Sequence, residues 1–180
     1  MSPVTFIYGP MKSGKTARLI GDYYALSEDH SVLVVRPAID TRSPDNKVKS
    51  RNGRELPCFV FDSTETLTQI VENEQPEHLL VDEAQFLPEE TINTLIRMSL
   101  NGLKVRFYGL LTDYRGETFA ASEAITRFAQ KLDPVFADCT CGKPAQFTKF
   151  TGQTNGRTII VGHDEHYFPV CTECFLETCE

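Results

Sequence analysis

One eight-residue stretch constrains the fold of this chain more than any other feature. Gly9-Pro10-Met11-Lys12-Ser13-Gly14-Lys15-Thr16 fits the pattern G-x-x-x-x-G-K-[ST]. It follows Val4–Tyr8, an apolar run with β-branched and aromatic residues that reads as a buried strand. It precedes a stretch, Lys15 to about Leu26, that reads as a helix. Strand, glycine-rich turn and helix together aim successive backbone N–H groups, and the helix amino terminus, at anionic phosphate. In such a loop Lys15 reaches the β- and γ-phosphates and the Thr16 hydroxyl can ligate Mg²⁺.

The chain around this loop alternates strand and helix. Ser31 to Arg36, Cys58 to Phe61, His78 to Asp82 and Val105 to Leu110 read as further strands. Thr64 to Glu74 reads as a helix, and Pro88 opens another in which Ile92, Leu95, Ile96 and Leu100 form one buried face closed by a Gly102 cap. Ser122 to Gln130 is a further helix, with Ile125, Phe128 and Ala129 on one side. Pro37 to Leu56 is polar, without a period, and a loop of that length is more often functional than a passive connection. This order predicts an α/β, P-loop NTPase-type, mostly parallel sheet with helices on both faces over residues 1–137. Residues 138–180 differ: they carry cysteines and short β segments, with Asn155-Gly156 as a hairpin tip between Phe147–Phe150 and Thr158–Val161. They are expected to form a second, smaller lobe.

Charge narrows the partners. The chain has 18 basic and 25 acidic residues and a net charge of −7, which counts against broad binding to nucleic acid or an anionic membrane. No run approaches a membrane span and no signal peptide is evident, so a cytoplasmic location is expected. In that compartment paired cysteines point to metal and not to disulfides. Cys139-x-Cys141 and Cys171-x-x-Cys174, separated by 29 residues, suit a tetrahedral, structural Zn²⁺ with no open position. Cys179 is a possible substitute ligand, and Cys58 reads as a buried small apolar residue.

The strand His78-Leu79-Leu80-Val81 ends in Asp82-Glu83. In phosphate-loop enzymes such an Asp belongs to the Mg²⁺ shell, and the adjacent Glu can take a proton from an attacking hydroxyl or water. The carboxyl end of a parallel strand is where ligands bind in open α/β sheets. These residues alone are compatible with three functions: a kinase, an ATPase motor in which Glu83 activates water, and a zinc interaction module using nucleotide as a switch. A motor should hydrolyse ATP faster with nucleic acid, a switch should tolerate Glu83→Gln, and a kinase should turn over little without its acceptor.

Taken together, the motifs resemble the type II thymidine kinases over nearly the whole chain. The matching residues are the phosphate loop, Asp82-Glu83-Ala84-Gln85-Phe86, Asp40-Thr41-Arg42, Tyr108-Gly109-Leu110 through Asp113-Tyr114 to Phe119, and Val161-Gly162 through Tyr167 to Val170-Cys171. The resemblance implies transfer of the ATP γ-phosphoryl group to the 5′-hydroxyl of thymidine, and of deoxyuridine, in nucleotide salvage. It implies Glu83 as general base. It implies a phosphate-side set of Gly9, Pro10, Met11, Lys12, Ser13, Gly14, Lys15, Thr16, Asp82, Glu83, Gln85 and Arg42. Mg²⁺ falls to Thr16 and Asp82, and Zn²⁺ to Cys139, Cys141, Cys171 and Cys174. Met11, Phe86, Leu110, Tyr114 and Phe119 would line the base and sugar pocket. A lasso loop held between the zinc ligands would close over the base through Thr158, Ile159, Ile160, Val161 and Gly162, with Tyr167 covering the ring and Thr148 beside it. The resemblance also implies a homotetramer inhibited by dTTP. Three residues depart from the family pattern: Asp138 stands where a first cysteine is common, His163 where a glycine is usual, and Lys12 where the family often has an aromatic or polar residue.

Overall fold

A computed structural model of the chain describes residues 4–38, 46–152 and 166–177. Six parallel strands form one sheet. In spatial order these are β5 (Phe59–Phe61), β2 (Val32–Pro37), β6 (His78–Val81), β7 (Lys104–Gly109), β1 (Val4–Tyr8) and β8 (Lys131–Pro134). The strands alternate their side chains between two apolar layers, as a period of two requires. Val4, Phe6, Leu33, Val35, Leu79, Val81, Val105 and Phe107 pack on one face beneath α2 (Thr64–Glu74), α3 (Glu89–Leu100) and α4 (Ala120–Phe128). Ile7, Val34, Leu80 and Tyr108 pack on the other face beneath α1 (Lys15–Ser27), through Leu19 and Ile20. The expected mostly parallel sheet with helices on both faces is therefore the observed architecture.

Several local readings change. The stretch 37–56 contains an antiparallel hairpin, β3 (Lys47–Lys49) with β4 (Glu55–Pro57), and its Val48 and Leu56 join the α1-side core. Strand β8 is an addition to the expected sheet: Lys131-Leu132-Asp133-Pro134 lies at a sheet edge and is mostly exposed, so its sequence carries no apolar signal. Leu100 is 80% exposed: the buried face of α3 runs Thr91, Ile92, Leu95, Ser99, which turns Leu100 one step outward. Phe128 is 43% exposed because it sits in the last turn of α4, at the rim of the core, while Ala129 turns inward. Cys58 is buried in the α1-side core, as read. No described helix is long and apolar enough to cross a membrane.

Beyond the sheet lie two short antiparallel pairs, β9 (Ala137–Asp138) with β10 (Pro144–Ala145) and β11 (Phe147–Phe150) with β12 (Tyr167–Val170). A five-residue helix, α5 (Thr172–Leu176), follows. The described partner of Phe147–Phe150 is thus Tyr167–Val170. The expected partner Thr158–Val161 and the tip Asn155-Gly156 lie outside the described residues. A small cluster of Cys139, Ala145, Val170 and Cys171, flanked by Phe147 and Phe175, forms the core of this region.

Candidate active site

The parallel register brings three chain turns together at the carboxyl ends of adjacent strands. The phosphate loop leaves β1, Asp82-Glu83 leaves β6, and Leu110 leaves β7, which lies between them. The contact is close. The Gly9 N–H donates to the Gly109 carbonyl at 3.4 Å, and a Cβ at Gly9 would lie 2.0 Å from the Val135 carbonyl oxygen. Gly9 is therefore needed because the chain after β8 crosses directly against the loop. Within the loop, the Lys15 ammonium donates to the carbonyls of Gly9 at 3.1 Å and Pro10 at 2.7 Å. Lys12 (φ 66°) and Gly14 (φ 87°) adopt left-handed backbone, which turns the chain into α1. Thr16 follows Lys15 in the first turn of that helix.

Asp82 is buried, its N–H donates to the Val35 carbonyl at 3.0 Å, and its Oδ1 accepts from the Glu83 N–H at 3.0 Å. Glu83 has φ 52° and ψ 41°, a left-handed conformation that a non-glycine residue adopts at a cost. A short 3₁₀ turn, Ala84–Phe86, follows. In it the Gln85 side chain is buried, donates from Nε2 to Glu83 Oε2, and accepts the Leu110 N–H on Oε1 at 3.1 Å. The structure thus places Gln85 between the acid turn and β7. Gly109 packs against that amide: a Cβ there would stand 2.8 Å from Gln85 Oε1. No feature of the sequence taken alone marked Gly109; its need follows only from this three-way approach.

The apolar side chains assemble in two groups. Phe86 and Phe119 meet edge-on at 6.4 Å between ring centres. Tyr114 and Tyr167 both contact Phe150, at 5.6 and 4.7 Å. Phe150 was missed in the sequence because its strand carried only short-range hairpin signals. The turn bearing Tyr114 is rigidly built: Asp113 is buried, accepts the N–H groups of Arg115 and Glu117 on Oδ1, and pairs with the Arg115 guanidinium at 2.9 Å. Thr148 is buried, and its hydroxyl accepts the Met11 N–H at 2.9 Å. The Lys12 ammonium sits 4.7 Å above the Phe168 ring. These two contacts seat the phosphate loop directly on β11 and β12. Arg42, Thr158, Ile159, Ile160, Val161, Gly162 and His163 lie outside the described residues.

The Sγ atoms of Cys139, Cys141, Cys171 and Cys174 all lie within 4.8 Å of one another, and Cys141 and Cys171 approach to 3.6 Å. A tetrahedral zinc with Zn–S of about 2.3 Å needs S···S edges of roughly 3.8 Å, so the donor set fits Zn²⁺ in both chemistry and spacing. Backbone N–H groups of Cys141 and Cys171 pull the Cys139 thiol down to about 6. Hydrogen bonding with the neighbouring cysteines, Cys141 first, pushes the Cys174 thiol up to about 12. Four crowded sulfurs cannot all ionise without a cation among them. Cys179 lies outside the described residues.

A parallel sheet with a G-x-x-x-x-G-K-T loop on one strand and an Asp-Glu turn two strands away defines a phosphate-loop nucleotide-binding protein. A family model described as thymidine kinase matches residues 2–175. The chain belongs to the thymidine kinase family. It is 34% identical to a thymidine kinase of Colwellia psychrerythraea, over 98% of this chain and 98% of that one. It is also 34% identical to a thymidine kinase of Rhodopirellula baltica, over 98% and 89%. A thymidine kinase of Haemophilus influenzae is 32% identical, over 99% and 98%.

Proposed function

We propose that the chain phosphorylates thymidine, and deoxyuridine, with ATP to give the nucleoside 5′-monophosphate in nucleotide salvage. The observation that carries this reading is the convergence of the phosphate loop, the strained Glu83 turn and the aromatic groups of Phe86, Phe119, Tyr114 and Tyr167 at one end of the sheet. Phosphoryl transfer needs positioning and charge stabilisation, and this arrangement supplies both. Glu83 accepts the proton of the 5′-hydroxyl as its oxygen forms a bond to the γ-phosphorus. The bond from that phosphorus to the β,γ-bridging oxygen breaks, and ADP leaves. The N–H groups of Gly9 to Gly14 and the Lys15 ammonium hold the phosphates, and Arg42 steadies charge on the transferring group. Thr16 and Asp82 would hold Mg²⁺, which neutralises phosphate charge when bound. Cys139, Cys141, Cys171 and Cys174 would hold Zn²⁺ as a structural cross-link.

Base and sugar would lie among Met11, Phe86, Leu110, Tyr114 and Phe119, with Thr148 and Tyr167 beside the ring and residues 158–162 closing over it. Such closure would keep water from competing as acceptor. Residues 138–180 then act as the substrate-side lobe on the 1–137 nucleotide domain. A cytoplasmic homotetramer inhibited by dTTP completes the reading. It is supported by the family resemblance, and sedimentation with and without dTTP would test it.

The deciding experiment is ADP release from Mg²⁺-ATP with thymidine, deoxyuridine, deoxycytidine or no nucleoside, with Glu83→Gln as control. Turnover should require thymidine or deoxyuridine and fall by roughly 10²–10⁴ in the control, the usual contribution of a positioned base. Hydrolysis indifferent to every nucleoside would refute the proposal.

A further inference from the structure

The proposed base is held by a neighbour whose chemistry permits only one orientation. Leu110 presents a backbone N–H, a donor only, to the Gln85 side chain at 3.1 Å. The amide must therefore turn its oxygen to Leu110 and its NH₂ to the other side. On that other side is Glu83 Oε2, which accepts from Nε2. The amide orientation follows from the partners themselves. Gln85 is only 5% exposed, and the backbone of Gly109 lies close enough that even a Cβ there would come within 2.8 Å of Oε1. It has little room to swing. Glu83, by contrast, sits on a backbone conformation (φ 52°) that does not hold itself and persists only where the surroundings fix it.

We infer that Gln85 is a positioning residue for phosphoryl transfer, locking the Glu83 carboxylate by an N–H bond and anchoring it to β7 through the Leu110 N–H, and does not itself bind phosphate. This rests on Glu83 being the base. A carboxylate that loses this bond is held less closely in the orientation that takes the acceptor's proton, even when substrates bind normally, so the loss falls on kcat and not on KM. The amide exchanges no proton and makes no covalent bond. Its part is to keep the Glu83 carboxylate in one orientation, tied to the strand that also delivers Leu110 to the site.

The test is a double-mutant cycle on the full-length protein, measured as thymidine 5′-monophosphate formed in single turnover: parent, Glu83→Gln, Gln85→Leu and the double variant. Gln85→Leu should lower kcat by roughly 10–100-fold, with KM for ATP and thymidine within about 3-fold of the parent. In the Glu83→Gln background the same substitution should cost nothing further, because a positioning residue has nothing left to position. Gln85→Glu guards against misfolding. Its carboxylate still accepts from Leu110 but sets a second acid against Glu83 in place of a donor, so kcat should fall at least as far as in Gln85→Leu while the far-ultraviolet signal of the folded chain is kept. Equal losses in both backgrounds, a raised KM for ATP with kcat intact, or a fully active Gln85→Glu would each overturn the inference and leave the base assignment standing. An active Glu83→Gln would overturn both.

Discussion

The two ends of this chain hold their shape by different means. The parallel sheet has an apolar core on each face, with Phe6, Leu79, Leu80, Ile92, Phe107 and Tyr108 fully buried. Among the described residues, the cysteine-bearing strands bury Cys139, Ala145, Val170 and Cys171 in a core of their own. Burial alone suffices for the first region. The described part of the second has a smaller core, to which its four clustered thiols and its seat against the phosphate loop add further contacts. The lesson is that the loop, whose residues belong in sequence to the sheet, is in structure shared: Met11 bonds to Thr148 and Lys12 covers Phe168. A disturbance on the cysteine side should therefore reach ATP.

That contrast can be broken most severely from the sheet side. Gly9→Ala drives a methyl group into the Val135 carbonyl, 2.0 Å away, where both partners are backbone. It should cost at least about 3 kcal/mol and abolish ATP binding, seen together in thermal melts and nucleotide titration. A methyl group accommodated without loss would mean the loop is not pinned there.

The cysteine side predicts a different signature. A chelator that strips the zinc these cysteines would hold, or Cys171→Ser, should leave the far-ultraviolet signal of the sheet largely intact. It should raise KM for thymidine by about 10-fold or more, since a lobe with so small a core depends on its cross-link. A cooperative loss of the whole fold would show that the two regions are not separable in stability.

Acid should act on the sheet through His78. This residue starts β6, has no exposed surface, and neither ring nitrogen has a hydrogen-bond partner among the described residues. Burial, with Lys104 next in effect, holds its imidazole down to about 4. The neutral form is the one the fold prefers. Its contribution is complete above the unfolded value of about 6.5 and is lost as the pH falls toward 4. Stability should drop by on the order of 1.4 kcal/mol per pH unit within that window. His78→Leu should flatten this slope in denaturant titrations at pH 4.5 and 7. An unchanged slope would exonerate His78.

The smallest effects sharpen the seam. Thr148→Val leaves the Met11 N–H without its acceptor and should cost about 1–2 kcal/mol, read as a 5- to 30-fold weaker ATP affinity. Phe168→Leu removes the ring beneath Lys12 and should cost about 0.5–1 kcal/mol by the same measure. If neither moves ATP affinity, the two regions touch without coupling.

The same contrast explains what could be read from the chain before folding. Val4–Tyr8, Thr64–Glu74 and His78–Val81 announce themselves by local periodicity and by flanking turn signals, and they appear where expected. The phosphate loop is legible because its chemistry is contiguous. Strand β8 and the β3–β4 hairpin are not legible, since one is a polar edge and the other a pair of three-residue strands. The places of Gln85, Phe150, Thr148 and Phe168 depend on partners 17 to 156 residues away, and no local pattern encodes such contacts. The four cysteines were readable from their paired spacing as one ligand set, and their sulfurs gather within 4.8 Å of one another.

The most direct measurement of the central claim is stoichiometric. With Mg²⁺-ATP and thymidine, ADP and thymidine 5′-monophosphate should be counted together during turnover. One monophosphate for each ADP, with both falling in Glu83→Gln, is the expected result. ADP released in excess, with inorganic phosphate in place of the nucleotide product, would mean that water and not thymidine is the acceptor.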